Sequence, residues 1–129
     1  MATVFKVKSE GNGKSSLTPE VIQSKLFYLS DAAHKLHLDT KSYAQHKALG
    51  KLYEGLIGFR DEISEKMMGY MDGKRIGSIK VGALPEFSEK AAMELAKEVR
   101  DFGMELKEYA EEKHFCDVEN VAQSLSGLG

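Results

Sequence analysis

The sequence predicts an all-α fold, and three observations support this prediction. Apolar residues recur at alternating intervals of four and three in three long segments, which is the period of helices buried along one face. A good N-cap residue precedes each segment, at Thr18, Ser42 and Ser88. A segment rich in glycine and β-branched residues, 74–87, separates the second segment from the third. We therefore expect a helical bundle with a long connection in its middle.

The first predicted helix covers residues 19–38. Pro19 suits the first helical position, because the N–H that it lacks would have no intrahelical partner there. Leu17, before the N-cap, can contact Ile22 and so fix the direction in which the chain enters the helix. The apolar stripe that follows indicates a helix packed lengthwise in a bundle.

The second predicted helix follows the N-cap Ser42, which can form a capping box with Gln45. It ends near Asp72, where Gly73 is a typical C-terminal stop. Arg60 is the one polar residue in its apolar stripe. An unpaired buried charge costs several kcal/mol, so we expect Arg60 to be half-buried and paired with a carboxylate.

The third predicted helix covers 89–114, and a short fourth helix covers 118–126 with Asp117 as its N-cap. The second helix is about 45 Å long, and an extended connection over 74–87 spans roughly 46–50 Å. The connection can therefore run back along the whole bundle, as it does in ferritin-like bundles with one long crossover. The sequence therefore predicts two parts, a flexible N-terminal arm over 1–16 and a ferritin-like helical bundle over 17–129.

Composition excludes several classes of protein. The 18 basic and 20 acidic residues give a net charge of -2, which disfavours DNA binding through overall charge. No apolar run approaches the roughly 20 residues of a membrane helix, and the N-terminus lacks the apolar stretch of a signal peptide. A single cysteine, Cys116, excludes an internal disulfide framework and a cysteine-only zinc site. We expect a soluble, reduced, cytoplasmic protein, with Cys116 as a small buried residue.

The candidate site residues are histidines and carboxylates around the second helix. Asp61 and Glu65 are four residues apart and share a helix face, and Glu54 lies two turns earlier. His46 lies on the same edge, rotated away from the apolar stripe. These carboxylates should therefore point away from the bundle core of their own subunit, towards a subunit interface.

The spacing of these residues resembles one known family. The segment AHKLHLDTKSYAQHKALGKLYEGLIGFRDEISEKMMG is similar to the metal-site region of the DNA-binding proteins from starved cells (Dps), a branch of the ferritin superfamily. His34, His46, Asp61 and Glu65 reproduce the family's intervals of twelve, fifteen and four residues. The pattern HxxHxxTKSYxxH also resembles small uncharacterised ferritin-like proteins, including phage-encoded ones, and offers His37 as an alternative to His34.

The resemblance implies a homo-oligomer built at least from two-fold dimers, with an iron-oxidation site shared between subunits. Histidines 34 or 37 and 46 of one subunit would face Asp61 and Glu65 of the other, with Glu54 as a further candidate ligand. Imidazole and carboxylate suit iron, and zinc is the alternative. The chain departs from the family at Lys35, where tryptophan is usual, at Gly50, where aspartate is common, and in its short last helix.

Other interpretations stay open beside this one. In one of them the carboxylates form a solvated helix face with ion pairs such as Glu62–Lys66, and the protein is a non-enzymatic structural or interaction module. Glu111 and His114 form a second, weaker metal motif of the di-iron type. Lys6 and Lys8 in the arm give a weak signal for DNA binding.

Overall fold

A computed structural model describes residues 17–128, and these residues form four helices. The helices are α1 (Pro19–Asp39), α2 (Tyr43–Tyr70), α3 (Glu89–Lys113) and α4 (Cys116–Leu128). No strand occurs among residues 17–128, so the all-α prediction is confirmed. The predicted arm, 1–16, lies outside the described residues.

Local capping explains where the first three helices begin. The hydroxyl oxygens of Thr18, Ser42 and Ser88 each accept a backbone N–H from three residues on, as predicted. Helix α2 ends where Asp72 and Gly73 take positive φ angles of 58° and 78°. The Gly73 N–H donates to the carbonyl of Met68 at 2.9 Å, which satisfies one of the last carbonyls of the helix.

Two antiparallel helix pairs make the bundle. Helices α1 and α2 pair so that Gln23 contacts Ser64 near one end, with a hydrogen bond of 3.2 Å. Helices α3 and α4 pack closely at Gly103, where an added Cβ would lie 2.5 Å from the backbone nitrogen of Ser126. Helix α4 also touches α2, where Leu128 packs over Gly55. The core consists of the inward stripes of all four helices, including the fully buried Leu26, Leu29, Leu56, Ile63, Val99, Leu106, Val118 and Leu125.

The connection between α2 and α3, residues 71–88, contains no helix. Near its start, the Gly77 N–H donates to the Glu20 carboxylate at 3.3 Å, at the beginning of α1. Further along, Leu84 lines the same groove as Tyr28, which is farther along α1. Tyr70, the last residue of α2, stacks on Phe115, just after α3, with ring centroids 4.3 Å apart. Helices α2 and α3 therefore end at the same end of the bundle, and the connection runs back along it.

Three sequence predictions need correction. Arg60 is half-buried, but among the described residues it pairs with a hydroxyl and a ring instead of a carboxylate: Nη1 donates to Ser30 Oγ at 3.1 Å, and the guanidinium lies 4.2 Å from the Phe27 ring centroid. Cys116 is exposed instead of buried, because it opens α4 on the outside of the bundle. Helix α4 begins at Cys116, one residue before its predicted cap, and ends two residues later than predicted.

Candidate functional site

The predicted histidines meet where α1 turns into α2. His34 and His37 lie in the last turns of α1, and His46 lies in the first turn of α2. Because the two helices are antiparallel and joined by a short turn, residues equally distant from the turn face one another. His37 and His46 stack with ring centroids 3.8 Å apart. His34 stacks on Tyr53, with centroids 4.2 Å apart.

The contact between His37 and His46 is reciprocal. The Nδ1 atom of His37 lies 2.7 Å from the carbonyl oxygen of His46, and the Nδ1 atom of His46 lies 2.9 Å from the carbonyl oxygen of His37. A carbonyl oxygen only accepts hydrogen bonds, so each Nδ1 must carry a proton. In the neutral rings the lone pair is therefore on Nε2, the nitrogen with which each ring could bind a metal.

Gly50 and Tyr53 complete this histidine cluster, which consists of His34, His37, His46, Gly50 and Tyr53. A Cβ added to Gly50 would lie 3.1 Å from Cε1 of His37, so the His37 ring occupies the space above the glycine. The ring of Tyr53 lies 5.3 Å from that of His37. Gly50 was named from the sequence only as a departure from the resembled family and was not placed in this cluster. Gly50 and Tyr53 follow His46 on the same edge of α2, and this spacing was the sequence feature that could have placed them in the cluster.

The stacking limits what the two rings can do together. The rings of His37 and His46 are inclined by only 22° to each other. Metal–imidazole bonds of about 2.0–2.1 Å lie in the plane of the ring, and two nearly parallel stacked planes do not converge on one ion at that distance. One ring would have to turn before both could bind the same metal.

The carboxylates lie elsewhere on the same helix. Glu54, Asp61 and Glu65 are all exposed. His46 and Asp61 are fifteen positions apart, which corresponds to about 22 Å along the helix axis, so one chain cannot bring the two groups to one ion. Accordingly, among residues 17–128 no group of three or more histidine, cysteine or acidic side chains is placed to hold a metal.

The alternative interpretations find partial matches in the structure. Lys66 and Glu62 form the predicted i,i+4 ion pair at 3.9 Å on the surface, where such pairs contribute little stability. In the second motif, Glu111 pairs with Lys107 at 3.8 Å, and His114 is the exposed residue that ends α3 with a positive φ of 60°. Lys6 and Lys8 lie outside the described residues.

The outer face of α2 carries exposed charged side chains. At 100° per residue, Tyr43, Lys47, Glu54, Asp61 and Glu65 lie within one sector of the helix, opposite the buried stripe. All five are exposed. Between residues 17 and 128, no ion pair within 4.0 Å joins Asp61 or Glu65 to a basic side chain. This face is basic towards its N-terminal end and acidic towards its C-terminal end.

DUF5856, a family of unknown function, matches residues 37–128. The chain belongs to the DUF5856 family. The matched region covers α2, α3, α4 and the end of α1, and it includes His37, His46, Asp61 and Glu65 but not His34.

Neither the curated proteins nor the solved structures give a significant match. Within the described part of the chain, no helix has both the length and the apolarity needed to cross a bilayer.

Proposed function

We propose that this DUF5856 protein is a ferritin-like protein of the Dps type that binds Fe(II) and oxidises it at a site shared by two subunits. One subunit supplies imidazoles from the histidine cluster: His46, with His34 or His37. The partner supplies the carboxylates of Asp61 and Glu65. Fe(II) is the substrate, and dioxygen is the oxidant.

The observation that carries this proposal is the arrangement of the outer face of α2. His46 is half-buried on the flank of α2 beside one end of this face, and the carboxylates lie near its other end, about 22 Å away along the axis. A two-fold axis through α2 near residue 54 would lay two copies of the helix antiparallel. In that arrangement His46 of each chain reaches the level of the other chain's residues 61–65.

Charge supports the same pairing. In the antiparallel arrangement the exposed Lys47 of one copy reaches the level of Asp61 in the other. Complementary charges of this kind favour one register over its alternatives. Gly58 lies on the same face, and a Cβ there would meet nothing within 4 Å, so side chains of a second copy have room to approach.

The experiment compares Fe(II) binding in three proteins. Asp61→Asn combined with Glu65→Gln keeps the shape of both side chains and removes their charge. Glu108→Gln combined with Glu112→Gln is the matched control, because both residues are exposed and lie on α3, away from the outer face of α2. Anaerobic equilibrium dialysis followed by metal analysis measures binding, and absorbance after admission of air measures oxidation.

We expect the Asp61/Glu65 variant to remain folded by circular dichroism and to lose Fe(II) binding, while the control binds like the unmodified chain. Zinc, dialysed in parallel, tests the alternative metal. Unchanged Fe(II) binding in the Asp61/Glu65 variant would refute the proposal.

A second candidate function is a non-enzymatic interaction module with the same fold. The specific observation that favours it is the reciprocal bonding of His37 and His46, since both rings already have a structural role in joining α1 to α2. This candidate predicts that neither iron nor zinc binds to the unmodified chain, so the same dialysis distinguishes the two functions.

A further inference from the structure

The outer face of α3 is turned away from α1 and α4, the two helices that pack on α3. At 100° per residue, one sector of α3 opposite its buried stripe contains Met93, Lys97, Arg100, Met104, Glu108 and Glu111. All six residues are exposed, and the two methionines are exposed to 74% and 57%. Exposed methionines on a charged helix face are typical of a surface that binds another protein, because their flexible side chains adapt to what they contact.

The charges on the outer face of α3 change sign at Met104. Lys97 and Arg100 precede this methionine by seven and four residues, and Glu108 and Glu111 follow it by four and seven residues. The basic and the acidic groups therefore lie at equal distances on either side of Met104, about 6 and 10 Å along the helix axis. A face with this order of charges is complementary to a copy of itself that runs in the opposite direction.

Ion pairs within the chain leave these four charges available. Arg100 lies 3.8 Å from Asp101, and Glu111 lies 3.8 Å from Lys107. Exposed pairs of this kind contribute little to stability, so they do not prevent either side chain from meeting a second partner. Among residues 17–128, the other two charges of the face form no ion pair within 4.0 Å.

We propose that the outer face of α3 binds the same face of a second copy of the chain, with the two α3 helices antiparallel and a two-fold axis at Met104. Lys97 and Arg100 of each copy then lie at the level of Glu108 and Glu111 of the other. The symmetry forms this cluster of opposite charges twice, once at each end of the contact. Parallel packing of the two helices would instead place like charges side by side, which is unfavourable.

This contact is separate from the metal site proposed above. Helices α2 and α3 lie diagonally across the bundle, because each of them packs against both α1 and α4. The outer faces of α2 and α3 can therefore bind second copies at the same time, and neither contact depends on the other. A chain that makes two different two-fold contacts assembles beyond a dimer.

Cross-linking of introduced cysteines in the full chain tests the contact and its register. Cys116→Ser removes the only cysteine, and Met104→Cys then places one thiol of each copy at the proposed axis. Met93→Cys is the matched control, because it replaces an exposed methionine on the same face but would leave the two thiols about 33 Å apart along the helix axis. With a short bis-maleimide, we expect most of the chain to run as a covalent dimer on a denaturing gel when the thiol is at position 104, and little when it is at position 93.

A charge swap tests whether the clusters of opposite charge hold the two copies together. Lys97→Glu with Arg100→Glu should lower cross-linking at position 104 to the level of the position 93 control, and so should Glu108→Lys with Glu111→Lys. Combining all four changes should restore cross-linking, because opposite charges then face each other again. Circular dichroism checks that each variant is helical.

The variant that combines Asp61→Asn with Glu65→Gln separates this contact from the metal site. Its changes lie on α2, so it should cross-link at position 104 as strongly as the chain without them, whatever the outcome for Fe(II) binding. Equal amounts of covalent dimer at positions 104 and 93, or no recovery in the variant with all four charges exchanged, would overturn the proposal.

Discussion

Gly103→Ala should destabilise the fold by separating α4 from α3. The new Cβ would lie 2.5 Å from the backbone nitrogen of Ser126 and 2.6 Å from its Cα. Carbon contacts normally lie at about 3.5–4.0 Å, so the two helices would have to separate by about 1 Å. The contacted atoms belong to the backbone, and no side-chain rotation can relieve the contact.

Two estimates bracket the loss of stability. Overpacking a well-packed core costs about 1–3 kcal/mol. If α4 instead leaves the bundle, the fully buried Val118 and Leu125 each lose about 1.5–3 kcal/mol of burial, partly offset by the entropy that the released helix regains. Alanine returns about 0.5–1 kcal/mol through its better helix propensity. We expect a net loss of about 2 kcal/mol in the free energy of unfolding.

Urea unfolding followed by circular dichroism measures this loss. The midpoint should fall, and a lower m-value would show that α4 is already released in the native state, because less surface is then exposed on unfolding. Gly58→Ala is the matched control: it is also a helical glycine, but no atom lies within 4 Å of the added Cβ, so the change should stabilise by about 0.5–1 kcal/mol. A Gly103→Ala variant as stable as the unmodified chain, with the same m-value, would refute this reasoning.

Three further predictions concern single side chains. Burial raises the pKa of Glu105 above its ordinary value of 4.5, so ionising this carboxyl in the folded state costs stability. The loss of stability grows as the pH rises from 4.5 through the folded-state pKa. Glu105→Gln should therefore raise the thermal midpoint at pH 7 and have little effect below pH 4.5. Arg60→Met removes a buried Nε that has no hydrogen-bond partner, which stabilises the variant, and also removes the bond to Ser30, which destabilises it. Because these effects oppose each other, the free energy of unfolding in urea titrations should change by less than about 1 kcal/mol. His37→Ala should cost about 1 kcal/mol in the same titration, because the bond to the His46 carbonyl is lost, and ¹⁵N NMR of the unmodified chain should show the Nδ1–H tautomer in both rings.

The sequence predicted local features well because their causes are local. The caps at Thr18, Ser42 and Ser88 each need only one hydroxyl and one N–H three residues away, and all three were placed correctly. The start of α4 was less accurate because it depends on a contact distant in sequence: the Asp117 N–H donates to the hydroxyl of Tyr70, at the end of α2, at 3.3 Å. The length of the segment between α2 and α3 was a reliable signal, since a tight turn needs far fewer residues.

The candidate site was only partly predictable. The sequence indicated that His34, His37 and His46 belong together, but their stacking follows from the way α1 packs on α2. The partner of Arg60 was wrong for the same reason: a carboxylate was expected from electrostatics, whereas the packing of α1 places Ser30 and Phe27 beside it. Whether Asp61 meets an imidazole depends on a second copy of the chain, which intrachain contacts do not determine.

Mixing two defective chains tests the shared metal site most directly. One variant, His46→Ala, lacks an imidazole, and the other, Asp61→Asn with Glu65→Gln, lacks the carboxylates. Each alone should fail to bind Fe(II) in anaerobic dialysis. After the two are unfolded together and refolded, mixed dimers should contain one intact site, built from the carboxylates of the first chain and the imidazole of the second, and Fe(II) binding should return. A mixture that binds no more Fe(II) than the two variants measured separately would contradict a site shared between subunits.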